Sequence, residues 1–156
     1  PQRKELQEIP GGKAPVKMLF DTNIVLDVLM DREPFADAAV ELFAKVEEGS
    51  LIGFLCGTTL TTVYYLAAKV LGAKGAKQAI ERLLAMFEVA PVNRVVIETA
   101  LGARIIDFED AVIYAAACHV GADAIVTRNE DHFKGSKIPV YSSLETEKIL
   151  SLLKQR

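Results

Sequence analysis

The sequence predicts an α/β fold, with a central parallel sheet of about five strands whose two faces are both covered by helices. Short, nearly continuous apolar segments alternate along the chain with longer segments whose apolar residues recur at helical spacing. The chain has 156 residues, 51% of them apolar and 25% charged, which suits a globular domain with a substantial core. We therefore expect one domain over residues 16–156. Residues 1–15 form a predicted flexible tail, because they mix charge with proline and glycine and lack periodicity.

The bulk properties indicate a soluble cytoplasmic protein. A net charge of −3 excludes a generally basic nucleic-acid coat but leaves room for a local basic groove opposite an acidic pocket. Cys56 and Cys118 form no CxxC motif and lie in apolar segments, which favours buried free thiols, although a disulfide between them stays open. No apolar segment is long enough to cross a bilayer, and no signal peptide is visible.

The first strand is predicted at residues 16–20, and it passes into a helix directly after Asp21. Asp21 thus lies at the C-terminal end of a strand, which is where open α/β sheets bind their ligands. The same residue could be a plain helix N-cap, and this segment alone leaves both interpretations open.

The remaining elements continue the alternation. Glycines at positions 49, 72 and 121 are predicted to end helices. Thr58 or Thr59 is predicted to be the N-cap of one helix and Asp107 that of another. Pro139 predicts that the last strand lies at a sheet edge. The other strands are predicted at 51–56, 87–90, 124–127 and 138–141, and the other helices at 35–48, 58 or 59 to about 71, 76–86, 92–103, 107–120, and from Ser142 or Ser143 to the C-terminus.

Two acidic residues open the helix before the fourth strand. Asp107 and Asp110 are three residues apart, so they can share one helical face. Neighbouring carboxylates repel unless a cation or a proton relieves them, which makes the pair a candidate site for a divalent metal ion. The alternative is structural, with Asp107 as the N-cap and the later acids complementing the helix dipole.

A polar turn, Thr127-Arg128-Asn129, follows the fourth strand. If the first and fourth strands are neighbours, this turn and Asp21 lie on the same rim of the sheet. Asn129 would add an oxygen ligand or a hydrogen-bond donor, and Arg128 a cation able to hold a phosphate.

Three segments together resemble the PIN domain family of metal-dependent ribonucleases, which includes VapC-type toxins. They are Phe20-Asp21-Thr22-Asn23, Asp107-Phe108-Glu109-Asp110-Ala111, and Val126-Thr127-Arg128-Asn129 with Phe133 after it; the resemblance extends from Met18 to about Leu150. It implies a three-layer α/β/α PIN-like fold, an acidic cluster that binds Mg²⁺ or Mn²⁺, and cleavage of single-stranded RNA. It also implies a homodimer and an antitoxin protein as a partner.

The site residues carry over by position. The resemblance makes Asp21 and Asp110 catalytic residues and, together with Asp107, metal ligands; Thr127 and Asn129 match the polar strand-end motif and are also assigned to catalysis. Asn23 and Arg128 are expected to bind the substrate, and Asp131 is close enough in sequence to replace a fourth acid.

One position departs from the family pattern. The second acid, usually a glutamate on the helix after the second strand, falls in the segment Thr61-Thr62-Val63, where a threonine carries no charge to offset a metal ion. Two functions therefore compete: a metal-dependent endoribonuclease, in which a metal-activated water attacks the phosphodiester, and a catalytically degenerate PIN domain that binds RNA or a protein.

Overall fold

A single parallel sheet organises the part of the chain that the computed structural model describes, residues 14–154. The predicted tail lies outside these residues, except for its last two. The sheet has the strand order β3-β2-β1-β4-β5, and its strands are β1 (Lys17–Phe20), β2 (Ile52–Cys56), β3 (Glu88–Ala90), β4 (Ala124–Val126) and β5 (Val140–Tyr141). The predicted parallel sheet is confirmed, with β5 at an edge as Pro139 indicates.

Helices cover both faces of the sheet, so the predicted three-layer architecture is also confirmed. Alternate residues of β1 point to opposite faces: Phe20 packs into one core and Leu19 into the other. The helices are α1 (Thr22–Leu29), α2 (Ala36–Glu48), α3 (Gly57–Met86), α4 (Arg94–Gly102), α5 (Phe108–His119) and α6 (Thr146–Lys154). The first three and α6 contribute to the core on the Phe20 side, and α4 and α5 to the core on the Leu19 side.

Three phenylalanines fill the centre of the first core. The rings of Phe20, Phe43 and Phe87 lie 4.9 to 5.7 Å apart between centroids, in edge-to-face contact. Gly53 on β2 lets Phe87 approach the strand, because a Cβ at this position would lie 2.6 Å from its ring. The fit of this core therefore depends on a glycine in the middle of a buried strand.

Several local predictions need correction. The helix after β2 is not capped by Thr58 or Thr59: it begins at Gly57, its N-cap is Cys56, and no side chain caps it. By contrast, the predicted break at Gly72 is confirmed: this residue adopts a positive φ of 74°, and α3 consists of two helical parts that meet at this kink. The last helix starts at Thr146, after a 3-10 turn at Ser143–Glu145.

Both cysteines are free thiols, but only one is buried. Cys56 lies in the sheet, whereas Cys118 lies on the exposed side of α5, next to the buried Ala116 and Ala117. Across residues 14–154, no helix is long and apolar enough to cross a membrane.

Candidate functional site

The C-terminal ends of β1 and β4 are neighbours, and this places Asp21 beside Thr127. Phe20 pairs with Val126 in the parallel ladder, and the Asp21 N–H donates to the Val126 carbonyl at 2.9 Å. The Thr127 hydroxyl donates to Asp21 Oδ2 at 2.7 Å. The sequence analysis expected Asp21 and this turn on the same rim only if the first and fourth strands are neighbours. The strand order shows that they are.

Asp21 is both a helix cap and a member of this rim. Its Oδ1 accepts the Thr22 N–H at 2.8 Å and so caps α1, while the carboxylate is only 3% exposed. Burial raises the pKa of Asp21, and the hydrogen bonds from Thr127 and the Thr22 N–H oppose that rise. The two interpretations of this residue are thus compatible.

Thr127 connects Asp21 to the turn after β4. Its side chain is completely buried, and its hydroxyl accepts the Asn129 N–H at 3.0 Å while donating to Asp21. The hydroxyl therefore fixes both a carboxylate and the backbone of the predicted strand-end motif.

The acids of α5 also combine a capping role with a place near the rim. Asp107 caps the helix, because its Oδ1 accepts the Asp110 N–H at 3.0 Å. The pKa of Asp110 is raised to about 6, first by burial and then by repulsion from Asp21, Asp107 and Glu109, while His132 lowers it. Residues from α5 and from the end of β1 thus act on each other electrostatically.

Two residues that the sequence reasoning did not assign to the site contribute to it. His132 looks like an ordinary surface histidine, and its side chain is 59% exposed, yet its Nδ1 lies 3.4 Å from Asp110 Oδ2. Thr59 is buried, and its hydroxyl oxygen lies 2.9 Å from that of Thr22. His132 lies three residues after Asn129 in a 3-10 turn, Glu130–Phe133, so the polar motif itself was the available signal.

The remaining predicted residues occupy different environments. Asn23 is half-buried in the first turn of α1. The Arg128 guanidinium lies against Asp27, with its Nε 3.1 Å from Oδ2, and over the ring of Phe35. Asp131 does not replace a fourth acid at the rim, because its carboxylate is 90% exposed and lies 3.8 Å from Lys134 Nζ.

A family model described as the PIN domain matches residues 17–131, which include both Asp21 and the acids of α5. The chain belongs to the PIN domain family. The family that the three segments resemble is therefore confirmed.

Solved structures of similar fold include VapC-type proteins. VapBC2 from Rickettsia felis, bound to a promoter DNA fragment, has a TM-score of 0.64 at 16% identity, covering 81% of this chain and 98% of its own. FitAcB from Neisseria gonorrhoeae has a TM-score of 0.61 at 22% identity over 81% and 98% of the two chains. VapC20 from Mycobacterium tuberculosis, a sarcin-ricin loop cleaving toxin, has a TM-score of 0.56 at 17% identity over 69% and 86%. No curated protein matches the sequence.

The expected position of the family's second acid, Thr61 or Thr62, lies on α3. Thr62 follows Thr59 by three residues on α3, so it lies on the same helical face, one turn further along. Thr61 is exposed, and its hydroxyl donates to the Thr58 carbonyl at 2.8 Å. Of these two threonines, only Thr62 is partly buried and shares a helical face with the buried Thr59.

The donor set fits a hard divalent cation held by few protein ligands. Within the described residues, no group of three or more His, Cys, Asp or Glu side chains is placed to hold a metal ion. Mg²⁺, however, is usually bound through one or two carboxylates together with waters and substrate phosphates. The buried Asp21, together with Asp110, whose pKa is raised first by burial and then by repulsion from Asp21, suits that mode.

Proposed function

We propose that this PIN domain is a divalent-metal-dependent endoribonuclease that cleaves single-stranded RNA. The observation that carries the proposal is that Asp21 contacts Thr127 at the strand ends, while the turn after Thr127 brings His132 to 3.4 Å from Asp110, so that Asp21 and Asp110 act on each other electrostatically. Their repulsion is what a cation would relieve, and the rim lies at the strand ends where open α/β sheets bind ligands. The family match and the ribonuclease toxin among the structural neighbours support the same reaction class.

Asp21 and Asp110 would hold Mg²⁺ or Mn²⁺, with Asp107 adding negative charge nearby. When bound, the metal supplies Lewis acidity and lowers the pKa of a coordinated water, which makes hydroxide available at neutral pH. No serine or cysteine nucleophile is required.

The chain's own residues orient and balance the site. The Thr127 hydroxyl fixes Asp21 Oδ2, and through the Asn129 N–H it also fixes the backbone of the turn that carries Arg128 and Asn129. His132 provides positive charge beside Asp110 when it is protonated. Asn23 and Arg128 would bind the RNA backbone from either side of the rim.

We further propose that the protein acts in the cytoplasm as a homodimeric toxin paired with an antitoxin. The support is the structural likeness to proteins that are themselves solved as toxin–antitoxin complexes. Expression of the chain alone should then arrest growth, and expression together with the product of the adjacent gene should relieve the arrest. Growth arrest that the Asp110→Asn variant reproduces equally would contradict a nuclease toxin.

The nuclease proposal is tested by incubating a pool of single-stranded RNA with the intact chain in Mg²⁺ or Mn²⁺, with and without a chelator. We expect metal-dependent cleavage that is lost in Asp21→Asn and in Asp110→Asn. The matched control is Asp37→Asn, which removes an exposed acid from the first turn of α2 and should leave cleavage unchanged. Cleavage that survives both Asp21→Asn and Asp110→Asn would refute the proposed site.

The second candidate is a degenerate PIN domain that binds RNA or a protein without cleaving it. Thr62 favours this candidate, because it brings no negative charge to the position of the second acid. RNA binding by the folded chain, with no cleavage in either metal, would favour this function over the ribonuclease.

A further inference from the structure

We propose that Asp27 and Phe35 hold Arg128 as a preformed binding point for a phosphate of single-stranded RNA at the edge of the acidic rim. The inference rests on the proposed function, and it assigns positioning roles to two residues outside the three sequence motifs.

Asp27 is a fully buried carboxylate without a hydrogen bond. It lies inside α1 with 0% exposure, and neither of its oxygens has a hydrogen-bond partner in the part of the chain that the structure describes. Arg128 Nε lies 3.1 Å from Oδ2, close enough for an ion pair, although its N–H is not aligned for a hydrogen bond. An unpaired carboxylate buried in this way is costly, so Asp27 depends on the Arg128 charge.

Phe35 fixes the plane of the same guanidinium. The Arg128 Cζ lies 4.4 Å from the centre of the Phe35 ring, which is a stacking distance for a cation on an aromatic face. Asp27 engages the Nε edge, which leaves the terminal amino groups of the guanidinium as further donors. Because two contacts restrict its side chain, Arg128 loses less conformational freedom on binding a ligand than a free surface arginine would.

Arg128 is partly exposed, and it lines an open cavity at the turn that follows β4. This cavity has a volume of about 390 Å³ and is lined by Arg128, Asn129, Glu130, Asp131 and His132. Arg128 stands between Thr127 and Asn129 in the chain, so a phosphate bound there would be close to the Asp21 rim.

The charge balance leaves Arg128 able to attract an anion. Arg32 also acts electrostatically on Asp27, so one carboxylate is shared by two guanidinium groups and the set carries a net formal charge of +1. Of the two acids in the cavity wall, Asp131 lies 3.8 Å from Lys134 Nζ, and the charge of Lys148 acts on Glu130. A bidentate phosphate contact is the interaction for which a fixed guanidinium is best suited.

The Asp27–Arg128 pair could instead serve only the stability of the fold. A double-mutant cycle distinguishes this structural role from the proposed role in RNA binding. Breaking a buried pair by removing one partner is destabilising, whereas removing both partners together is much less so. We therefore expect Asp27→Asn and Arg128→Gln each to lower the unfolding temperature, and the double variant to recover much of that loss. If Arg128 binds RNA, the double variant should still bind RNA about tenfold more weakly than the unaltered protein.

Binding is measured by fluorescence anisotropy with a labelled single-stranded RNA oligonucleotide, in an Asp110→Asn background that keeps the RNA intact. The salt dependence of binding should also fall by about 0.7 in log–log slope when Arg128 is replaced, as expected for one lost phosphate contact. Phe35→Leu should weaken RNA binding several-fold because the stack is lost, and Phe35→Tyr, which keeps the ring, serves as its matched control.

The outcomes distinguish this inference from the nuclease proposal. If the double variant recovers RNA affinity together with stability, the inference is overturned, even when the unaltered protein cleaves RNA. Arg128-dependent RNA binding by a chain that cleaves nothing would support the inference and refute the ribonuclease. A folded protein that does not bind single-stranded RNA would overturn both.

Discussion

Replacement of Thr127 by valine isolates the hydroxyl that joins the two strand ends at the rim. Valine has nearly the same shape, so the change removes one oxygen from a completely buried side chain. That oxygen donates to Asp21 Oδ2 at 2.7 Å and accepts the Asn129 N–H at 3.0 Å, so Thr127→Val leaves two polar groups without a partner.

The loss should be large for a single hydroxyl. A hydrogen bond to a charged group contributes about 1.5–3 kcal/mol, and an abandoned buried donor adds to the cost, so we expect a total of about 2–4 kcal/mol. For a chain of this length, that corresponds to a fall of about 6–12 °C in the unfolding temperature.

The destabilisation should also depend on pH. The Thr127 hydrogen bond lowers the pKa of Asp21, so its loss raises an already elevated value. A group whose pKa is higher in the folded than in the unfolded state stabilises the fold at acid pH and loses that contribution as the pH rises. The effect of Thr127→Val should therefore be larger at pH 7 than below pH 4.

Thermal unfolding at both pH values measures this effect, and Thr127→Ser is the matched control. Serine keeps the hydroxyl and loses one methyl group, which costs about 1 kcal/mol. If valine is as stable as serine at pH 7, the hydroxyl does not contribute as described and the reasoning fails.

Three further changes test other parts of the structure. Gly53→Ala should destabilise the fold by about 1–3 kcal/mol, because the alanine Cβ would lie 2.6 Å from the Phe87 ring. Chemical denaturation measures this change, and an unchanged midpoint would show that the Phe87 side chain can move to make room. Burial and neighbouring acids raise the pKa of Asp110 from 3.8 to about 6, so the free energy of unfolding should fall as the pH rises between these values. Asp110→Asn should make this fall smaller and leave the protein about 1–2 kcal/mol more stable at pH 7, whereas equal pH profiles of thermal unfolding would contradict the electrostatic account. Thr62→Glu should strengthen Mg²⁺ binding measured by calorimetry, whereas the control Thr61→Glu on an exposed face should not; equal affinities would show that Thr62 does not face the site.

The sequence predicted the fold well because its signals are local and redundant. The apolar segment before Asp21 and the alternation of strands with helices both depend on periodicity, which the parallel sheet confirms. The strand order could not be obtained this way, because it depends on which strands pair across long connections. The start of α3 was misplaced for a similar reason: Thr59 makes a tertiary contact with Thr22 instead of capping its helix.

The candidate site was predictable where short motifs coincide with strand and helix ends. Asp21, Asp110 and Thr127 all lie at such ends, and the structure brings the first and last of them into direct contact. The contact between Asp27 and Arg128 was not predictable, because an acid inside an amphipathic helix gives no sign of a partner about a hundred residues later. Likewise, the contact between the exposed His132 and Asp110 was not predictable, because its only sequence signal is a position three residues after Asn129.

The central claim is that Asp21 and Asp110 together form a divalent-metal site. Calorimetric titration of Mn²⁺ at pH 7.5, where Asp110 is ionised, tests it most directly when the unaltered chain is compared with Asp110→Asn and Asp131→Asn. We predict saturable binding that Asp131→Asn retains and Asp110→Asn loses. Folded protein that binds no Mn²⁺, or that binds it equally well after Asp110→Asn, would contradict the claim.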